Sequence, residues 1–268
     1  MLVAAALVPD TVLLLPGAAG GASDDPGLVR LRDAALAAVR AATGAPADVP
    51  ADTPARTSTR PRVVVVAPGR ADRSVTGDVR LGAAAAGVPD RLLAWPVPAL
   101  RLAAAPGGPP PEPGPLGVPA TVGARLALRA GADVVHVVEV ASRDAAALRD
   151  TGARLCADGP TALVVVGSGS ARHGPDGPLA DDPAAGPLDA ALASALTGAG
   201  RGARDVLTDL DPVHAQALAV SGWGSWQVLV GALDASGGVP WVDGGAHADV
   251  WHGAAHGAAC WRVAGEDA

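Results

Sequence analysis

The sequence predicts a single α/β domain over residues 1–268, with a mostly parallel central sheet and helices on both faces. Three observations carry this. Short unbroken apolar runs (LVAAALV, RVVVVA, TALVVVG) have the length and Val content of strands buried on both faces. Helix-like segments opened by Asp or Ser caps lie between and after them. A strand, a helix and a strand follow one another over about 35 residues from Asp133 to Gly167, which reads as a right-handed crossover between parallel strands.

Taken in order, Leu2–Val8 is the first buried strand, followed by a Gly-rich loop. Asp25-Pro26 supplies an N-cap and a proline at the first helical position, and the helix it opens runs to about Ala42. Leu28, Leu31, Leu36 and Val39 fall near one face of it. Residues 44–60 are rich in Pro, Ala and Thr and read as an exposed linker. Arg62–Ala67 is the next strand, and Pro106–Pro115 a surface loop, because its prolines exclude both helix and central strand. Asp133–Val140 is a strand, Ser142–Ala157 a helix capped by Ser142 or Asp144, and Thr161–Gly167 a strand. Helices follow at about Leu188–Thr197, at Pro212–Val220 behind Asp211, and at Ser225–Leu233 behind Ser225. The Gly/Ala/His-rich end reads as a loop running into a strand near Ala258–Val263.

Composition narrows the chemistry. The chain has no Phe, Tyr, Ile, Asn or Lys, a pattern that fits a very GC-rich genome. Without Lys there is no Schiff-base or P-loop lysine, without Tyr no phenolic acid or base, and without Asn no Cys-His-Asn triad. A net charge of −7 argues against nucleic acid as a partner. The core must be packed from Val, Leu and Ala plus six Trp. Trp223 and Trp226, three apart, read as core. Two cysteines, Cys156 and Cys260, make no disulfide framework and read as buried free thiols of a cytoplasmic protein. The apolar start lacks a basic region and is broken by Pro9-Asp10, so it reads as a strand rather than a signal peptide, and no run is long enough for a membrane span.

In open α/β sheets ligands bind beyond the carboxyl ends of the strands. This places three segments in view: Pro9-Asp10, Pro68-Gly69-Arg70, and Ser168–His173. The last, GSGSARHG, sets Ser168, Ser170, Arg172 and His173 directly behind a buried strand, where backbone N–H groups and polar side chains can surround a polar ligand. It is neither a nucleophile elbow nor a dinucleotide fingerprint. His247, Asp249, His252 and His256 form a C-terminal cluster, but Gly253 and Gly257 disfavour the helix that His252 and His256 would need to share a metal, and a solvated loop is expected. His136 and Glu139 have opposite strand parity and cannot share one ion; His136 reads as a satisfied core residue. His214 reads as a surface residue in a first helical turn, and Asp176–Asp182 as a solvated loop.

The order of segments resembles the class III extradiol ring-cleavage dioxygenases of the protocatechuate 4,5-dioxygenase beta-subunit type, in a divergent actinobacterial branch. The resemblance rests on ALVPDTVLLLPG, RVVVVAPG, LGVPATVGARLAL, ALVVVGSGSARHG and SGWGSWQVLVGAL, which occur in the family's order across nearly the whole chain. It implies a non-haem Fe(II) site on two His and one carboxylate, a further His as acid/base, and assembly as a homo-oligomer or with a second subunit. Position by position most of that site is missing. Asp10 stands where the first metal His is expected, Pro68, Gly69 and Arg70 where the second is expected, and no carboxylate occurs in Ser221–Gly224. His173 alone matches, at the acid/base position.

The resulting expectation is a fold whose metal site has degenerated, with no cofactor, and Asp10, Arg70, Ser168, Ser170, Arg172 and His173 around a pocket for a small anionic or phenolic ligand. Two alternatives stand beside it. One is an active Fe(II) oxidoreductase with ligands rearranged onto Asp10, His173 and one or more C-terminal His. The other is a hydrolase using Ser168 or Ser170 with His173.

Overall fold

In the computed structural model, residues 1–20, 25–44, 60–175, 177–198, 200–237 and 241–263 are described. Nine strands form one mixed sheet: β1 (Leu2–Val8), β2 (Arg62–Pro68), β3 (Arg73–Arg80), β4 (Ala99–Leu102), β5 (Pro111–Pro113), β6 (Val135–Val140), β7 (Thr161–Val166), β8 (Trp241–Trp251) and β9 (Ala254–Val263). The helices are α1 (Pro26–Thr43), α2 (Val118–Arg129), α3 (Ala145–Leu155), α4 (Ala185–Gly198), α5 (Gly200–Asp209), α6 (Pro212–Ala217) and α7 (Trp223–Ala235).

The strand order is β4-β3-β6-β2-β7-β1-β9-β8, with β5 beside β3. Only the centre, β6-β2-β7-β1, is a run of parallel neighbours. On one side β3 meets both β6 and β4 antiparallel; on the other, β9 meets β1 and β8 meets β9 antiparallel. The mostly parallel sheet expected from the sequence is therefore corrected to a mixed one. The reason lies in the flanks: a parallel centre needs helical crossovers, whereas β8 and β9 are joined by a two-residue His252–Gly253 turn that permits only antiparallel pairing. Both turn residues have positive φ, the geometry that suits the twist of a tight hairpin.

Strand alternation divides the core in two. Ala4, Ala6, Val8, Val63, Val65 and Ala67 face the layer holding α1 and α2. Leu2, Ala5, Leu7, Val64 and Val66 face the layer holding α3 to α7. Few large side chains are available, so the layers close by backbone approach instead. On α3 and α7, a Cβ at Gly152 would sit 1.9 Å from the Val228 carbonyl oxygen, and one at Gly231 would sit 1.8 Å from that of Arg149. The two helices can lie this close only because both positions are glycine.

Local signals mostly operate as expected. Asp25 accepts the N–H of Gly27 and Leu28 at the start of α1, Asp144 those of Ala146 and Ala147 at α3, and Asp211 that of His214 at α6. Three expectations need correction. The α7 helix starts two residues earlier, with Gly222 rather than Ser225 at the cap, because the close approach of this segment to Ser168 sets the entry. The Pro-rich loop contributes β5, whose backbone pairs beside Ser74–Thr76. The Gly/Ala/His-rich end is not a loop but the β8–β9 hairpin. The linker predicted at 44–60 lies largely outside the described residues. No helix among the described residues is long and apolar enough to cross a membrane. Cys156 and Cys260 are buried and not joined in a disulfide.

Trp261 on β9 is wholly buried, and its indole N–H donates to the Leu196 carbonyl of α4 at 3.2 Å. Trp261→Ala is expected to lower unfolding free energy by about 3–5 kcal/mol, read from urea denaturation; a loss near zero would mean that the hairpin is not fastened to the core through this ring.

Candidate functional site

The site is assembled where β7 ends. Gly167 and Ser168 leave the sheet, and the loop behind them is laid along the hairpin. The Gly169 N–H donates to the Ala255 carbonyl at 2.9 Å, the Ala255 N–H to the Ser170 carbonyl at 2.8 Å, and the His173 N–H to the Gly253 carbonyl at 3.0 Å. This brings a polar wall together from four elements. Ser170 donates its N–H to the Asp189 carboxylate of α4 at 3.1 and 3.2 Å and its hydroxyl to the Leu218 carbonyl at 2.7 Å. His173 Nε2 lies 2.6 Å from the other face of the same interaction, Asp189 Oδ2. Burial pushes the Asp189 carboxyl up, against the lowering effect of its hydrogen bonds to His173 and Ser170.

A second chain of hydrogen bonds runs beside it. The Ser168 hydroxyl donates to Asp10 Oδ1 at 2.6 Å, and His256 Nδ1 lies 3.2 Å from Ser168 Oγ. One hydroxyl has one proton. Since it goes to the Asp10 carboxylate, His256 must donate from Nδ1, which leaves Nε2 as a bare acceptor. Burial pushes the His256 pKa below its ordinary value, against the attraction of Asp10, Asp249 and Asp189, so the ring is neutral near pH 7.

Both chains border a cavity of about 470 Å³ beyond the carboxyl ends of β1 and β7. Leu192, Leu196 and Trp226 supply apolar wall, and His173, Asp189 and His256 the polar end. The volume lies within the range of small-molecule sites.

Of the residues singled out from sequence, the structure unites Asp10 with Ser168, and Ser170 with His173 through Asp189. It separates the two arginines from the cavity. Arg70 is exposed beyond β2, and Arg172 turns its guanidinium onto the Ala180 carbonyl, within the loop closed by the Asp182 N–H on the Arg172 carbonyl. Neither lines the cavity, which carries Asp189 and Asp249 instead, so the expectation that these arginines surround it is corrected. His256 was missed as a site residue, because the solvated-loop reading hid a residue that is 7 % exposed. Alternation along β9 could have found it once that strand was recognised. Asp189 carried no sequence signal beyond its place on an amphipathic helix.

The residues do not fit the iron site that the resemblance implies. Asp10 is engaged by Ser168, and Gly69 has no ligand atom. A Cβ there would lie 2.5 Å from Glu139 Cβ, so a side chain at this position would displace Glu139. Glu139 itself is held by Arg73 at 2.7 Å and by the Gly117 N–H at 2.7 Å. Among the described residues no group of three or more His, Cys, Asp or Glu side chains is placed to hold a metal ion. The rearranged set of Asp10, His173 and a C-terminal His is divided between two chains, since His256 joins Asp10 while His173 joins Asp189.

No protein-family model matches the chain, and no curated protein matches it.

The buried imidazole gives a pH signature. A histidine whose folded-state pKa lies below 6.5 contributes stability that is present above pH 6.5 and lost as pH falls through the folded value. Asp189 acts oppositely: with its pKa raised above 3.8, its contribution is present below 3.8 and lost as pH rises through the folded value. Urea midpoints measured from pH 7.5 down to 5 are expected to fall more steeply for the wild type than for His256→Gln; parallel curves would show that His256 is not desolvated.

Proposed function

We propose that this chain is a binding protein related to the class III extradiol dioxygenases, that its metal-ligand positions have degenerated, and that it takes a small phenolic ligand in the cavity beside β7. The observation that carries the reading is His256, a neutral ring whose Nδ1 proton is committed to Ser168, leaving Nε2 as an acceptor at the polar end of the cavity. A phenol fits that polarity. Its O–H donates to Nε2, and its ring packs among Leu192, Leu196 and Trp226. An anionic head would meet Asp189 and Asp249, with no arginine among the described lining residues. His173, oriented by Asp189, stands at the same wall and can hold or pass a proton there. Ring cleavage is left out of the reading because Asp10, Gly69 and the stretch Ser221–Gly224 do not form the two-His, one-carboxylate set it requires.

Phenol titrated against tryptophan fluorescence is expected to bind saturably, and His256→Ala to weaken it by about tenfold, the scale of one hydrogen bond to a buried ring. Anisole, which has the ring but no O–H, should bind as weakly as phenol does to the variant. Equal binding of phenol and anisole to the wild type would remove the proposal.

One contact favours a second reading. Ser168 is linked to Asp10 and His256, the three residue types of a hydrolase triad, although the base would be His256 and not His173. The order is wrong for activation, since the serine gives its proton to the carboxylate instead of to the imidazole. Ser168 is also 6 % exposed. A fluorophosphonate probe is therefore expected to leave Ser168 unlabelled. Labelling that disappears in Ser168→Ala would make the hydrolase the better account.

A further inference from the structure

A second cleft, of about 350 Å³, lies between the ends of β2 and β6 and the start of α7, and shares no lining residue with the cavity. The first three N–H groups of an α-helix have no partner within it and together present partial positive charge. At α7 these belong to Trp223, Gly224 and Ser225, all lining the cleft. Gly222 at the cap position has no side chain to offer, and its own N–H is used by the Ser168 carbonyl at 3.1 Å.

An independent feature points the same way. Ser225 is wholly buried in the cleft floor, and its hydroxyl oxygen has no hydrogen-bond partner. Buried hydroxyls are nearly always paired, so a floor that pools an orphan hydroxyl with uncapped N–H groups is built to meet an acceptor.

We propose that this cleft binds a small organic monocarboxylate. Charge sets the valence. One exposed arginine, Arg143, stands at the rim with its guanidinium on Gln216 Oε1. Asp72 is held beside two lining residues, accepting the N–H of Ala141 and Ser142 at 2.6 and 2.9 Å. A single negative charge suits this balance, and a phosphate dianion does not. The walls set the rest of the ligand: Pro68, Val140, Ala215, Val220 and the ring of Trp223 are apolar, so the carboxylate needs an apolar body. The polarity also reverses what the dioxygenase resemblance expects at Ser221–Gly224. A bare helix start attracts an anion and repels a cation. This inference does not depend on phenol binding in the cavity.

Benzoate, its neutral isostere benzamide, and inorganic phosphate, each titrated calorimetrically into the full chain at low salt, test it. Benzoate is expected to bind one per chain, with benzamide and phosphate each at least about tenfold weaker. Ser225→Ala should weaken benzoate by about three- to tenfold, with the thermal midpoint unchanged or raised, because an unpaired buried hydroxyl is being removed. Arg143→Gln, on the surface, should weaken benzoate and flatten its salt dependence. Silence of benzoate, equal binding of benzamide, tighter binding of phosphate, or indifference to Ser225→Ala would each overturn the assignment.

Discussion

Ser168 uses every hydrogen-bonding group it has. Its N–H donates to the Ser221 hydroxyl at 2.9 Å, its carbonyl accepts the Gly222 N–H at 3.1 Å, and its hydroxyl gives a proton to Asp10 while receiving one from His256. A buried polar residue left unpaired costs about 1–3 kcal/mol, so each of these partners is constrained by the others. Four segments distant in sequence are thereby drawn to one point: the end of β1, the start of α7, the loop behind β7, and β9. Moving any of them would expose an unsatisfied group in the others.

Two binding surfaces of opposite character follow from that node. On one side Ser168 sets the proton of His256 and so makes its outer nitrogen an acceptor facing an apolar cavity with two aspartates in its lining. On the other it anchors Gly222, holding the first turn of α7 uncapped at the cleft floor. The first surface suits a donor and the second suits an acceptor. The difference arises from the backbone and from one hydroxyl, together with the aspartates that line the cavity.

The core shows how a fold is closed without large aromatics. Burial of Val and Ala stabilises each position less than a Leu or Phe would, at about 0.8 kcal/mol per methylene. Compensation comes from proximity: α3 and α7 meet glycine to backbone, and two Trp side chains of the core are tied by their N–H groups, Trp223 to the Leu210 carbonyl and Trp261 to that of Leu196.

Periodicity and caps are local, so the sequence by itself determined what is local. The buried strands β1, β2, β6 and β7 and the starts of α1, α3 and α6 could be read from apolar runs and from Asp before Pro or Ala. The strand ends that hold Asp10 and Ser168 followed from the same runs. Tertiary structure decided the remainder. The strands β3, β4 and β8 are interrupted by charged residues or Gly (Gly77 and Asp78, Arg101, Asp243 to Gly245) and so carry no unbroken apolar run to announce them, and only pairing to neighbours makes them strands. His256 acquires its role because hairpin pairing buries it against a residue 88 positions away, and Asp10 meets Ser168 across 158. No periodicity spans such separations. Arg70 and Arg172 sit beside the right strand ends in sequence and leave the site in space, because where a long side chain turns is settled by which carbonyl or solvent it can reach.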